Sequence, residues 1–477
     1  MIISIINFLI NEVFVQAPIF LGVIALAGLL LQKRAPREVL EGTIKVIVGI
    51  VVLNAGIGVF LGSLLPLTTL LNSSFGVTGV LPDCFGPFGV AMKTMAIPIS
   101  LAFVLAFILH LVLVRILPFA NFKNVFLTGH IMLFNTSIAT IVINTTLGWT
   151  DTALIVSAAV LTALFWTCMP AIARPFSKFL SKDQYTLGHL QTMDLPMGAL
   201  AGKMVKSKRS DEIELPGFLS VFTDYTVILA TLIPIVYLII GFVAGADNVT
   251  KLSGGSNWVV WLILQGIGFA AGVAIVLFGV RMFLAAMIPA FEGIAKVLLP
   301  GSQPALDSPL FFQYSPTGVI LGFLSCFVAM VIFTLVQVAL RMSIIIFPGP
   351  IFFFFDGALA GVFGDRYGGW KASILAGAFM GILIDFAALL TYPLQAQFFT
   401  GTGLIFGGGD YILWAPLYWI LALVGGKVEG FASYGLISIV VGILVLIGVI
   451  LLRNEKVREN EGSAKPGATT KPVPAVK

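Results

Sequence analysis

Long apolar stretches without a charged side chain alternate with short polar segments along the 477 residues of this chain. A helix needs about 20 apolar residues to cross the hydrocarbon core of a bilayer, and many of these stretches reach that length. The pattern predicts eleven membrane-crossing helices, bounded by charged residues, glycine and proline. They cover residues 13–32, 44–64, 98–117, 124–146, 151–172, 219–244, 257–280, 317–341, 344–364, 370–391 and 432–452.

Three further apolar stretches are interrupted by glycine and proline, which continuous helices rarely tolerate. They lie at residues 75–98, 185–202 and 403–426. Irregular backbone at membrane depth persists only where protein buries it or where it lines a cavity. We therefore expect these stretches to form re-entrant hairpins.

The composition agrees with this interpretation. Hydrophobic residues make up 58% of the chain and charged residues only 10%, whereas soluble domains carry about 25% charged residues. With so little polar surface available, the predicted fold class is an all-α polytopic membrane protein that contacts membrane lipid.

The net charge of +5 comes from lysine and arginine in short loops and not from a basic stripe, so nucleic acid is not an expected partner. The basic regions are the loop at 33–45, the connection at 174–214 and the tail at 453–477. The positive-inside rule places them in the cytoplasm, which puts the N-terminus outside and the C-terminus inside. The tail is rich in proline and alanine, and we expect it to be disordered.

Three blocks of sequence recur in the same order, at separations of 220 to 224 residues. The aligned pairs are Asp83 of GVLPDCFGPFG with Asp307 of QPALDSPLFFQ, Gly129 of TGHIMLFNTS with Gly349 of PGPIFFFFDG, and Trp149 of TLGWTDTALIVSAA with Trp370 of RYGGWKASILAGA. This repeat predicts two halves, residues 1–215 and 216–430, followed by a final helix at 431–452. Because each half holds five spans, the second copy is inverted, which is typical of secondary transporters that bind substrate near the midplane.

Polar residues inside such a membrane are costly and are therefore candidates for the functional site. His130 follows a glycine that permits close approach of a ligand, and His189 lies in a broken stretch. Asp307 and its repeat partner Asp83 either bind substrate hydroxyls or cap short helices. Gly56, in NAGIG, allows close approach of either a ligand or a neighbouring helix.

Other polar residues are weaker candidates. His110 lies in the middle of an apolar run, where packing is the better explanation, and Lys93, Asp356 and Asp385 fit ion pairs or solvated ends. The chain has no phosphate-binding loop, no CxxC pair and no HExxH motif. We therefore expect no cofactor and no metal, and any phosphoryl chemistry would have to come from a partner.

Several blocks are specific enough to suggest a family. They are GTIKVIVGIVVLNAGIGVF, FLTGHIM, YTLGH, ELPGFLSVFTDYTV, GVRMFLAAMIPAFEGIAKVLLPG, ALD and FGDRYGGW. Between about residue 10 and about residue 450 the chain resembles the ascorbate-specific EIIC permeases of the bacterial phosphotransferase system and, more distantly, the galactitol type.

The resemblance implies an eleven-span homodimer in the bacterial inner membrane, with a core domain and a V-motif domain. It also implies an elevator-like movement that carries a sugar-like substrate inward. A phosphocysteine on a separate EIIB protein, supplied through EIIA, would then phosphorylate the substrate. The chain would be the transport subunit of a phosphoenolpyruvate-dependent complex, and whether it counts as an enzyme stays open.

The resemblance also implies which residues bind substrate. His130, His189 and Asp307 match the family's histidine motifs and its buried aspartate, and Cys84 and Phe85 match residues that border the sugar. Two glutamines typical of ascorbate permeases are replaced, one by Phe134-Asn135 and one by Leu190, with Gln191 one position later. L-ascorbate is the leading substrate, and another small sugar acid, lactone or polyol is the alternative.

Two other functions are compatible with the sequence. An ion-coupled secondary transporter of a small sugar acid or polyol would show the same repeats, with Asp83, Asp307 or Asp385 as coupling sites. A receptor-like membrane protein without transport is the other alternative, although the broken apolar stretches argue against it. Co-encoded EIIA and EIIB proteins would favour the phosphotransferase function over both.

Overall fold

The computed structural model describes residues 17–75, 78–212, 225–299, 301–425 and 431–453. Most of these residues are helical, and the helices are joined by short strands and turns. The helices are α1 (Ala17–Leu31), α2 (Pro36–Phe75), α3 (Phe85–Thr94), α4 (Ala96–Ile116), α5 (Gly129–Leu147), α6 (Asp151–Ser181), α7 (Asp194–Met204), α8 (Tyr225–Ala244), α9 (Ala246–Leu252), α10 (Trp258–Leu298), α11 (Pro309–Phe312), α12 (Pro316–Ala339), α13 (Pro350–Gly368), α14 (Trp370–Gln395), α15 (Tyr411–Gly425) and α16 (Ala432–Leu452). The strands are β1 (Thr78–Asp83), β2 (Asn124–Phe126), β3 (Thr186–Leu187), β4 (Gln303–Leu306), β5 (Ile344–Ile346) and β6 (Leu404–Phe406).

The predicted fold class, an all-α polytopic membrane protein, is confirmed. Eight of the described helices, α2, α4, α5, α6, α10, α12, α14 and α16, are long and apolar enough to cross a membrane. A ninth span is possible if α8 and α9, which meet at a bend of 117°, count together. The predicted number of eleven is not confirmed, because α1 has only 15 described residues and α13 carries three charged side chains.

All three stretches predicted to be broken are interrupted in the structure. Residues 75–98 contain β1 and the ten-residue helix α3, and residues 185–202 contain β3 and most of α7. Residues 403–426 contain β6 and α15. In each case an extended strand leads into a short helix, so the backbone groups of the strand need partners outside their own segment.

Two small parallel sheets supply those partners. One sheet has the order β5-β1-β6 and the other the order β2-β4-β3. In the first, Val80 pairs with Ile346 and Leu81 with Leu404. In the second, the central strand β4 pairs with β2 on one side and with β3 on the other. These strands are the only departure from an all-helical architecture among the described residues.

The strand orders follow the internal repeat found in the sequence. If β1, β2 and β3 are replaced by their repeat partners β4, β5 and β6, the order of one sheet becomes the order of the other. Each central strand is therefore flanked by two strands from the opposite half. The predicted limits of the halves, at 215/216 and 430/431, lie outside the described residues, as does the predicted disordered tail beyond Arg453.

His110 forms a hydrogen bond to the β2-β4-β3 sheet. It is completely buried in α4, where its Nε2 accepts a hydrogen bond from the backbone N–H of Phe126 at 3.0 Å. Its Nδ1 lies 2.8 Å from the hydroxyl of Thr167 in α6. The packing role expected for this histidine agrees with these contacts, which fix the position of β2 just before the residues that line the cavity.

Candidate functional site

A cavity of about 630 Å³ lies where the carboxyl ends of the two sheets meet. Residues from both halves of the chain line it, and six of the eight predicted site residues are among them. The lining consists of Cys84, Phe85, Leu127, Thr128, Gly129, His130, Ile131, Phe134, His189, Leu190, Gln191, Ala285, Leu306, Asp307, Pro309, Leu310, Ile351, Phe352, Phe355 and Asp356.

The β2-β4-β3 sheet brings His130, His189 and Asp307 together. Asp307 directly follows the central strand β4, while His189 comes two residues after β3 and His130 is the second residue of α5, which follows β2. The pairing continues past the strand ends, since Leu127 donates to the carbonyl of Ala305 at 3.0 Å and Gly188 donates to that of Leu306 at 2.8 Å. Parallel strands end at the same edge of a sheet, so the three side chains lie side by side.

Gly188 is needed for this arrangement. A Cβ added at this residue would come within 2.6 Å of the carbonyl oxygen of Ala305. Only glycine therefore lets the backbone approach β4 closely enough to place the next residue, His189, beside Asp307.

The two imidazoles lie near the Asp307 carboxylate but do not reach hydrogen-bond distance from it. The His189 Nε2 atom lies 3.5 Å from Asp307 Oδ1, and the His130 Nε2 atom lies 3.8 Å from Asp307 Oδ2. These separations exceed normal hydrogen-bond lengths. The Asp307 side chain is 39% exposed, and its Oδ1 accepts a hydrogen bond from the backbone N–H of Ser308 at 2.7 Å. The carboxylate is thus oriented by its own backbone and accessible to a ligand.

The opposite wall is aromatic and follows β1. Phe85 meets Phe134 edge-on at 5.0 Å between ring centroids, and Cys84 lies beside it, buried. Asp83, which precedes them, is completely buried and does not line the cavity. Its Oδ2 accepts a hydrogen bond from the backbone N–H of Gly86 at 2.8 Å, so it stabilises the first turn of α3.

Gln191 and Asp356 form a buried polar pair at the back of the cavity. The Gln191 Nε2 donates to Asp356 Oδ2 at 2.8 Å, and each side chain is only 1% exposed. Their remaining oxygens, Gln191 Oε1 and Asp356 Oδ1, have no hydrogen-bond partner among the described residues. Both oxygens are buried acceptors whose hydrogen-bonding capacity is unused by the described residues.

Asp356, a weaker candidate in the sequence, lines the cavity, and the sequence did not predict where the other candidates would lie. The alignment of TGHIMLFNTS with PGPIFFFFDG places Asp356 in the block that matches the His130 motif, and this was a usable signal. Gly56 is buried in α2 and is not among the residues that line the cavity. Asp385 is buried in α14, whereas Lys93 is exposed at the end of α3.

The charges of the lining decide what the cavity can bind. Its described residues include two carboxyl groups, two imidazoles and one amide, and no lysine or arginine. Carboxylate oxygens accept hydrogen bonds, while imidazole and amide groups both donate and accept. The aromatic rings supply flat apolar surface. This combination suits a small ring compound that carries several hydroxyl groups.

Two comparisons with known proteins bear on the function. A sequence profile described as EIIC-GAT, the PTS system sugar-specific permease component, matches residues 12–410. The chain is also 24% identical, over 436 residues, to a protein of Mycoplasma pneumoniae named ascorbate-specific PTS system EIIC component. That alignment covers 79% of this chain and 66% of the relative, so this chain spans just under two thirds of the relative's length.

Proposed function

The chain belongs to the family of sugar-specific permease components of the phosphotransferase system, and from this premise we propose that it translocates L-ascorbate into the cell as the EIIC subunit. The observation that carries the proposal is the group formed by His130, His189 and Asp307 at the end of one sheet, facing a cavity of about 630 Å³.

Substrate hydroxyls fit the polar groups of this cavity. The carboxylate of Asp307 accepts a hydrogen bond from one hydroxyl, and the imidazoles of His130 and His189 bind its neighbours. Gln191 Oε1 and Asp356 Oδ1 accept hydrogen bonds from hydroxyls on the far side of the substrate ring, while Phe85 packs against the face of that ring. The name of the Mycoplasma relative supports ascorbate as the substrate. Leu190 lines the cavity without adding an amide, which leaves a different small sugar acid, lactone or polyol as the alternative.

The phosphoryl group comes from outside this chain. We propose that EIIA passes it to a cysteine of EIIB, and that a substrate hydroxyl then attacks the phosphorus. The P–S bond breaks, a P–O bond forms, the thiolate of EIIB leaves, and the hydroxyl proton passes to that thiolate or to solvent. In this proposal the protein is a homodimer that moves its substrate-binding part like an elevator, with the N-terminus outside the cell and the C-terminus in the cytoplasm.

Uptake of radiolabelled L-ascorbate tests the proposal directly. The protein is expressed in bacterial cells that lack their own ascorbate permease, with and without the cognate EIIA and EIIB. Accumulation of the phosphate ester only when both partners are present is the expected result. Failure to transport ascorbate from a well-expressed protein would overturn the substrate, and a screen of labelled polyols and sugar acids would then identify the alternative.

A second candidate, ion-coupled transport, is favoured by one specific observation. Both carboxylate oxygens of Asp194 and both of Asp385 are buried without a hydrogen-bond partner among the described residues. Buried carboxyl groups of this kind in a membrane protein are typical of sites that take up protons or cations. Accumulation of unmodified ascorbate without EIIA and EIIB, dependent on a proton or sodium gradient, would support this candidate instead.

A further inference from the structure

The separations among His130, His189 and Asp307 are close to those of a metal centre. One ligand atom of each residue can be chosen so that all three lie within 4.8 Å of one another, and the two nitrogen–oxygen distances are 3.5 and 3.8 Å. Zinc binds imidazole nitrogen and carboxylate oxygen at about 2.0–2.2 Å, which places the ligand atoms of a tetrahedral site roughly 3.3–3.5 Å apart. The two measured distances end on different oxygens of the Asp307 carboxylate, so the three side chains have to draw together before one ion can contact all of them.

We propose that His130, His189 and Asp307 bind Zn²⁺ when the cavity holds no substrate. Three protein ligands with a fourth position open to water form the usual pattern of an accessible zinc site. The fourth position here faces the cavity. The backbone N–H of Ser308 holds Asp307 Oδ1 at 2.7 Å and so fixes the carboxylate toward the imidazoles. Among the described residues, no other group of three histidine, cysteine, aspartate or glutamate side chains is this compact.

The charge of the group also favours a cation. One carboxylate and two neutral imidazoles give a net charge of −1, and no lysine or arginine lines the cavity to oppose a divalent ion. The atoms that would bind Zn²⁺ are those that bind substrate hydroxyls in the proposed function. Zinc therefore competes with the substrate. This second statement rests on the proposed function, whereas the binding of zinc does not.

Calorimetric titration of the purified, metal-free protein with ZnCl₂ in detergent tests the binding without substrate or partner proteins. The variants H130Q, H189Q and D307N are each expected to bind Zn²⁺ roughly tenfold more weakly or worse, since loss of even supporting contacts costs 10–100-fold in metal affinity. D151N is the matched control, because Asp151 is an exposed carboxylate at the start of α6. It should bind as the parent does.

A spectroscopic measurement separates this site from zinc held elsewhere. Co²⁺ in a tetrahedral nitrogen and oxygen site absorbs visible light, and we expect this absorption in the parent and in D151N but not in the three site variants. All variants are compared only after size-exclusion chromatography shows an unaltered monodisperse peak. Equal affinity for Zn²⁺ in the parent and in all three site variants would overturn the proposal.

Transport measurements keep the two proposals apart. If zinc competes with the substrate, the zinc concentration that halves ascorbate uptake rises as the ascorbate concentration rises. Zinc binding that is lost in the site variants, together with an absence of ascorbate uptake, would support the metal site and refute the substrate. If uptake depends on EIIA and EIIB but zinc does not affect it, and calorimetry gives no signal, the proposed function would be supported and the metal site refuted.

Discussion

Gln191 donates a hydrogen bond of 2.8 Å to Asp356 across the back of the cavity, although the two residues are 165 positions apart in the chain. The bond joins the segment after β3 to the middle of α13, and both side chains are almost completely buried. It therefore connects the two predicted halves of the chain at the cavity where the proposed substrate binds.

Exchanging the two groups of this bond tests its role. D356N puts a buried amide NH₂ group in place of one carboxyl oxygen, and a buried donor without a partner costs about 1–3 kcal/mol. We expect D356N to lower uptake at least tenfold and to lower the unfolding temperature. The double variant Q191E/D356N restores a carboxylate–amide pair with the partners exchanged, and should recover part of both losses. Equal defects in the single and double variants would show that the bond itself is unimportant.

His130 and Asp307 are expected to be essential for transport but not for folding. H130A and D307N each remove groups that bind substrate hydroxyls, and each lost bond in a dry site costs about 1–3 kcal/mol. Uptake should fall to background, while the amount of folded protein in the membrane is unchanged. The control D151N should transport normally. Normal uptake in both well-expressed site variants would refute the assignment of the site.

His110 is expected to behave in the opposite way. H110L removes the acceptor of the Phe126 N–H and the partner of Thr167, and leaves a buried backbone donor unsatisfied. This should cost about 1–3 kcal/mol of stability. A lower unfolding temperature in detergent, with uptake per folded molecule close to that of the parent, would confirm a supporting role. Loss of uptake at unchanged stability would instead place His110 in the transport mechanism.

Glycines set the packing between α12 and α13. A Cβ added at Gly322 would collide with the carbonyl oxygen of Gly357, and one added at Gly361 would collide with that of Gly318. Backbones this close are typical of small residues at helix contacts in membranes. G322A and G361A should each destabilise the protein by about 1–3 kcal/mol, the usual cost of overpacking. Thermal unfolding in detergent measures the loss.

Gly58 is the matched control for this prediction. It lies in α2, and a Cβ added there would meet no atom of the described residues within 4 Å. G58A should leave the unfolding temperature unchanged or raise it slightly, because alanine has the higher helix propensity. A loss of stability in G58A equal to that in G322A would show that crowding is not the cause.

The sequence predicted the structure best where a local residue pattern carries a direct energetic cost for a helix or for the membrane. Glycine and proline in apolar stretches correctly predicted the interruptions that hold β1, β3 and β6, because such residues disfavour continuous helices. His130, His189 and Asp307 were singled out because polar groups in a membrane are costly. The geometry that unites them was not predictable, since β2 and β3 have only three and two residues and are too short to show an alternating pattern.

Other features depended on contacts that the sequence does not reveal. The hydrogen bond that Asp83 accepts from the backbone N–H of Gly86 agrees with helix capping, and it is a contact that the sequence does not reveal. Asp356 lies within the apolar run FFFFDG, and its burial against Gln191 is a tertiary contact. The apolar pattern also did not settle the number of spans, because α1 has only 15 described residues and α13 carries three charged side chains.

The pairing of β1 with two strands from much later in the chain constrains the order in which the protein can be synthesised and inserted into the membrane. The edges of β1 are completed by β5 and β6, which begin at residues 344 and 404, so more than 320 further residues must be synthesised after Asp83 before β1 has both neighbours. Until then its backbone amides and carbonyls cannot face lipid without a cost of several kcal/mol each. The segment that holds β1 therefore cannot reach its final state in the bilayer before β5 and β6 have been made, and it has to stay out of contact with lipid until then.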